Sequence, residues 1–169
     1  MFDTAHLHPM IVHFPIALLI IGFLFDVLSL FVKKDFFSNA GFYLLILGTV
    51  GVIAAYFSGD YAGDGITETG TLKQALEIHE EAAKLTLWIV ITAAVFRIFL
   101  VSLKKYHKIY KGIFLILFLF GVLSIFRTGF YGGQLVYKHA AGVQLNLGFD
   151  AQSNGNTEYE NNAIEKDDD

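Results

Sequence analysis

Six histidines carry most of the chemical reach of this sequence: His6, His8, His13, His79, His107 and His139. A neutral imidazole binds zinc, copper or iron through one ring nitrogen, and a pair of axial ligands, commonly His with His or Met, holds the iron of an electron-carrying haem. The chain has no cysteine. That excludes disulfides, thiolate ligands, iron–sulfur clusters and the covalent attachment of c-type haem. Any metal is left to His, Met, carboxylate or backbone ligands. No nucleophile elbow, phosphate loop or pair of catalytic carboxylates accompanies the histidines. Gly59, Gly63 and Gly65 do not form a dinucleotide fingerprint, because no strand precedes them.

Position separates the histidines further. Leu72, Leu76, His79 and Ala83 follow the 3.6-residue period of one apolar face, which continues through Thr86, Val90 and Arg97. His79 therefore points toward other helices. His13 lies about one turn inside the first apolar run, between Pro9 and Pro15, with His8 just before it. His139, on a continuing last helix, stacks over Leu135 and Gly132. A glycine there leaves room for a flat porphyrin or for the close approach of a neighbouring helix. His13, His79, His139 and His8 are the candidate ligands. His107, among Lys104, Lys105 and Lys108, reads as a solvated loop residue, and Met10 as a lipid contact.

Three further ionisable residues fall within apolar runs, where charge is costly and marks structure or function. Asp26 and Arg97 lie at matching depth and can pair with each other. Helix phase turns Asp26 well away from His13. Arg127 is close in depth to His13. It can hold an anionic group such as a haem propionate, or snorkel to the headgroups.

The elements that must position these residues are transmembrane helices. Hydrophobic residues make up 54% of the 169 and charged residues only 17%, below the roughly 25% of a soluble domain. The apolar residues cluster in runs at 10–32, 40–57, 83–103 and 112–131. Each run approaches or exceeds the about 20 residues needed to cross a bilayer. Backbone groups in lipid must be bonded within the segment, so the runs are helices. The leader at 1–9 has no Lys or Arg and does not read as a cleavable signal. Lys33 and Lys34 in the first loop, and Lys104, Lys105, Lys108 and Lys111 in the third, predict that these loops are cytoplasmic. The second loop is acidic and lies on the other side with both termini. Its glycines Gly59, Gly63, Gly65 and Gly70 predict an irregular stretch. Thr71 with Gln74 predicts a capping box that starts the third helix near Leu72, above the membrane. The fourth helix is expected to reach about His139.

The expected architecture is thus all-α: a four-helix transmembrane bundle with both ends outside and helices 3 and 4 extended beyond the outer face. Residues 1–149 form the bundle. Residues 150–169 are polar and acidic and are expected to be a disordered tail. No basic patch suits nucleic acid. The bilayer is one partner, and the expected location is the bacterial inner membrane.

Two stretches resemble a known family. His8-Pro9-Met10-Ile11-Val12-His13-Phe14-Pro15-Ile16-Ala17-Leu18 is similar to the opening signature of a bacterial family of predicted membrane proteins, domain of unknown function 2231. Gly132-Gly133-Gln134-Leu135-Val136-Tyr137-Lys138-His139, followed by Gly142-Val143, resembles its closing signature, and His79 with Glu80 and Ala83 its middle one. Ala140 stands where the family pattern has a glycine. The resemblance covers roughly residues 5–145. It implies an association with redox modules such as Rieske or cytochrome c domains, and hence membrane or periplasmic redox partners.

The leading expectation is a small b-type haem protein that transfers electrons at the periplasmic face, its haem held by histidines of different helices and walled by aromatic residues. One alternative is a non-haem zinc, copper or iron site built from the same imidazoles with Glu80 or Glu81. Another is a cofactor-free accessory or anchoring subunit of a larger complex. An electron-transfer or accessory subunit fits the chain better than a catalyst acting by itself.

Overall fold

The computed structural model describes residues 4–63, 70–104 and 107–141, for residues 4–7 and 108 the backbone only. The chain forms four long helices: α1 (Thr4–Phe31), α2 (Asp35–Gly63), α3 (Gly70–Ser102) and α4 (Lys108–His139). All four are long and apolar enough to cross a membrane. The outward faces carry large apolar side chains such as Phe14, Tyr43, Trp88, Phe99, Phe120 and Phe126. Such surfaces are tolerated where the solvent is lipid and would be an aggregation hazard in water.

Each helix runs further than its apolar run. α1 begins at Thr4, ahead of the apolar run, so Pro9 and Pro15 both lie inside the helix. α2 continues through Gly59 to Gly63 where a loop was expected. Thr71 is the second residue of α3, so it does not cap that helix as its pairing with Gln74 suggested. The expected extension of α4 to His139 is present. α4 stops at Ala140, whose φ of 49° and ψ of 30° are left-handed, with its N–H bonded to the Val136 carbonyl at 3.0 Å and the Ala141 N–H to Leu135 at 3.1 Å. This is the helix stop that glycine usually supplies. The proposed tail at 150–169 lies outside the described residues.

Helix α1 packs along its length on α2, and α3 on α4. The two hairpins then meet along narrower seams, α2 with α3 and α1 with α4. Among the described residues no Cα of α1 comes within 8 Å of α3, or of α2 within 8 Å of α4. The bundle is therefore a square whose diagonals are α1/α3 and α2/α4.

Glycines explain the tight α1–α2 contact. One face of α1 presents His8, Pro15, Leu19 and Asp26, and α2 meets them with Gly59, Gly51, Gly48 and Gly41. A Cβ at these four positions would lie 2.9, 2.9, 2.6 and 2.8 Å from the side chain it faces, inside normal carbon contact at about 3.5–4.0 Å. In lipid, close backbone approach replaces the hydrophobic effect as the source of helix attraction. The core between the hairpins is apolar: Leu19, Leu45, Val90, Ala93, Phe114 and Phe118 are all essentially buried.

Candidate functional site

Two polar clusters occupy the interior, one toward each end of the bundle. The first lies where α1 begins and α4 stops. His8 of α1 and His79 of α3 face each other across the diagonal, ring centroids 6.5 Å apart and planes at 76°. Each imidazole also rests on a glycine of the other diagonal. A Cβ at 59 would come within 2.9 Å of His8 Cε1, and one at 132 within 3.1 Å of His79 Cε1.

The hydrogen-bond partners of each ring favour one tautomer. His79 Nδ1 lies 3.2 Å from the Thr128 carbonyl. A carbonyl only accepts, so Nδ1 carries the proton and Nε2 keeps its lone pair. His8 Nδ1 lies 3.0 Å from Ser58 Oγ. Ser58 has one hydroxyl proton and donates it to the Ala55 carbonyl at 3.0 Å. With Ser58 donating to Ala55, His8 Nδ1 donates to Ser58 and Nε2 keeps the lone pair; the Ala55 carbonyl is also a backbone partner of the His8 ring. One turn or two below, the Thr86 and Thr128 hydroxyls bond each other at 2.8 Å.

The other expected ligands are not brought to this pair. His13 is exposed, and its Nδ1 bonds the Pro9 carbonyl of its own helix. Five residues from His8 rotate it by about 140° around α1, which is why the two cannot share one interior face. Arg127 is also exposed, with its guanidinium over Tyr131 at 5.6 Å rather than toward the histidines. His139 is half-buried at the last residue of α4. It stands about two turns beyond Gly132, and buried Leu135 lies between them on the same stripe. Gly132 does admit a flat ring, and that ring is His79. His107 is exposed beside Tyr110, and Met10 is 74% exposed, both as expected. Among the described residues no three His, Cys, Asp or Glu converge on one point.

The second cluster lies toward the lysine-rich end. Asp26 and Arg97 are 0% and 1% exposed and pair at 3.2 Å, as their depth predicted. Arg97 also donates to the Ser38 carbonyl and hydroxyl, both at 3.0 Å, and lies 4.9 Å over the Phe114 ring. Gly41 leaves space for the Asp26 carboxylate. Lys111 of α4 donates to the Ser29 carbonyl at 3.1 Å. Thr86 and Val90 are buried on the stripe that joins His79 to Arg97, in keeping with the helical period.

Sequence reasoning did not single out His8 over His13, nor Ser58, Gly59, Thr128, Ser38 and Gly41. A signal for His8 was present. Asp26 faces inward, and His8 precedes it by eighteen positions, which is five full helical turns.

The fold and the buried polar pairs define a membrane protein of four apolar helices, in contact with lipid along its outward faces. The chain belongs to the family of predicted membrane proteins designated domain of unknown function 2231 (DUF2231), whose model matches residues 4–145. No curated protein and no solved structure shows significant similarity to it.

Proposed function

We propose that this protein is a small b-type cytochrome of the bacterial inner membrane, with haem held between His8 and His79 at the periplasmic edge. The observation that carries the reading is the pair of interior imidazoles on diagonal helices. Each has its Nδ1 at a fixed hydrogen-bond partner, which would leave Nε2 as the ligating nitrogen. A ligating histidine takes the same second-sphere bond, which fixes its tautomer and ring orientation. His8 and His79 would hold the iron between them, and their spacing suits two imidazoles on opposite sides of one ion better than two ligands of a tetrahedral site. With metal–nitrogen bonds of about 2.0–2.1 Å, two imidazoles on opposite sides of one ion have centroids about 6.4 Å apart, and a tetrahedral angle brings them to about 5 Å. The rings here are 6.5 Å apart.

Bound haem supplies reversible one-electron exchange. The chain's own residues hold the ligand orientation: Thr128 and Ser58 anchor the rings, and Gly59 and Gly132 allow them into the bundle. The side of the membrane rests on the lysines. Lys33, Lys34 and Lys104 lie at the end opposite the histidines, and positive residues concentrate on the cytoplasmic side. Electron exchange at that outer edge suits membrane or periplasmic redox proteins as partners, with the chain as a carrier subunit. A second reading is a cofactor-free accessory subunit. It is favoured by the close fit of each imidazole to its glycine, which already fills the space.

A dithionite-reduced minus oxidised spectrum of the detergent-purified protein, expressed with ample haem supply, tests the proposal. Sharp α and Soret bands are expected, lost or converted in His8→Ala and His79→Ala and retained in exposed His13→Ala. A flat wild-type spectrum overturns it. Stoichiometric metal without porphyrin then points to a bare-metal site, and a colourless, metal-free protein to the accessory reading.

A further inference from the structure

The two polar clusters share one register. His8 and Asp26 on α1 are eighteen positions apart, and so are His79 and Arg97 on α3. Eighteen residues make five turns, so both members of each set face the same way, about 27 Å apart along parallel helices. That is close to the roughly 30 Å thickness of the hydrocarbon layer. The His8–His79 and Asp26–Arg97 contacts both cross a diagonal along which the α1 and α3 backbones do not touch.

We infer that the buried Asp26–Arg97 ion pair is a register clamp between the two hairpins, and that it positions His8 opposite His79 at the far edge of the membrane. Hydrophobic burial alone does not select a register. Lipid tails are as apolar as Leu19, Leu45, Val90 and Phe118, so sliding these surfaces costs little hydrophobic energy. Sliding α3 by one turn, about 5.4 Å, instead sets Arg97 beside Gly22 or Leu30 on α1 and takes the guanidinium away from the Asp26 carboxylate and from Ser38. Ser38 holds the third point: its carbonyl and hydroxyl both accept from Arg97, tying the clamp to the start of α2. Gly41 seats the carboxylate from the same helix. The pair thus joins the α1/α2 hairpin to α3 at one depth. Fixing register is the best-attested use of a buried polar group whose net contribution to stability is small. Asp26 and Arg97 are positioning residues for the histidine pair and touch neither imidazole.

The ligand role of the histidines rests on the function proposed above, but the clamp can be tested without it. Because the chain lacks cysteine, His8→Cys/His79→Cys can carry two nitroxide labels in liposomes. Continuous-wave EPR then reads their proximity as dipolar broadening. With Asp26 and Arg97 intact, strong broadening is expected. Asp26→Leu/Arg97→Met replaces the pair by apolar groups; it is expected to insert and resist unfolding about as well as its parent but to lose the broadening. Asp26→Asn, which keeps the shape against Gly41, is expected to lose part of it, and decides the matter if the double variant does not insert. Unchanged broadening in the variant that inserts overturns the clamp. With native histidines, the same substitutions are expected to shift the haem spectrum toward a mixture of ligation states. A wild-type protein without haem overturns the proposed function while leaving the label result to judge the clamp.

Discussion

Replacing Gly132 by alanine probes the histidine pair through the space it needs. The new Cβ would lie 3.1 Å from His79 Cε1 and 3.4 Å from Nδ1. Comfortable carbon contact begins near about 3.5 Å, so the ring must retreat by about half an ångström. Thr128 stands one turn before Gly132 on the same face of α4, so retreat from one is retreat from the other. The His79 Nδ1 to Thr128 carbonyl bond is already 3.2 Å long. Stretched to about 3.7 Å it is no longer a hydrogen bond. Interhelical hydrogen bonds in membrane bundles contribute about 0.6 kcal/mol on average and up to about 1.7, and overpacking costs about 1–3 kcal/mol. Against this, alanine gains about 0.5–1 kcal/mol over glycine within a helix. Gly132→Ala is therefore expected to destabilise by about 1–3 kcal/mol net.

The neighbouring glycines supply the control. A Cβ at Gly129 or at Gly133 would meet nothing within 4 Å. Gly129→Ala and Gly133→Ala should then gain the helix term alone, about 0.5–1 kcal/mol. The assay is an SDS unfolding titration in mixed micelles, comparing midpoints of the three single variants with the parent. Opposite signs for position 132 and its two neighbours are expected. Equal stabilisation at all three would show that His79 does not rest on α4 at Gly132, and the tautomer argument for Nε2 would fall with it.

Two further substitutions test the frame. Ala140→Gly should stabilise the end of α4 by about 1 kcal/mol, because an L side chain at a left-handed position is strained; hydrogen–deuterium exchange of the last α4 turn should slow accordingly. Gly48→Ala places a Cβ 2.6 Å from Cγ of fully buried Leu19 and should lower thermal stability in detergent by about 1–3 kcal/mol, with no such loss refuting the α1–α2 register.

Bilayer physics made most of the fold legible. Four apolar runs had to be helices, and the pairing of Asp26 with Arg97 followed from two costly charges at one depth. His79 was legible because long stretches of α3 keep one apolar face in phase. The choice between His8 and His13 was not, because the apolar run starts near Met10 while α1 starts at Thr4. Polar residues before the run looked like a leader rather than two extra turns of helix. Gly59 and Gly63 misled for a related reason. Glycine is both a loop residue and the means of close helix contact, and composition alone does not distinguish the two uses. What decides is the partner: Gly59 faces His8, and that contact belongs to the tertiary structure.

The arrangement of polar groups also limits what the protein can do with charge. Below the histidines, Thr86 and Thr128 bond each other, and Thr49 and Ser124 bond carbonyls of their own helices. Deeper still, Leu19, Leu45, Val90 and Phe118 fill the interior before Arg97 and Asp26 are reached. Among the described residues this leaves no continuous row of polar groups from one edge to the other. A proton or ion crossing that layer would have to shed its partners in a medium that offers none, at a cost of several kcal/mol or more. The described side chains therefore offer no polar relay between the two clusters. They can exchange geometry, since a rigid helix carries a fixed register over five turns. The electron carrier proposed above, loaded and unloaded at one edge, needs no polar path between the two clusters.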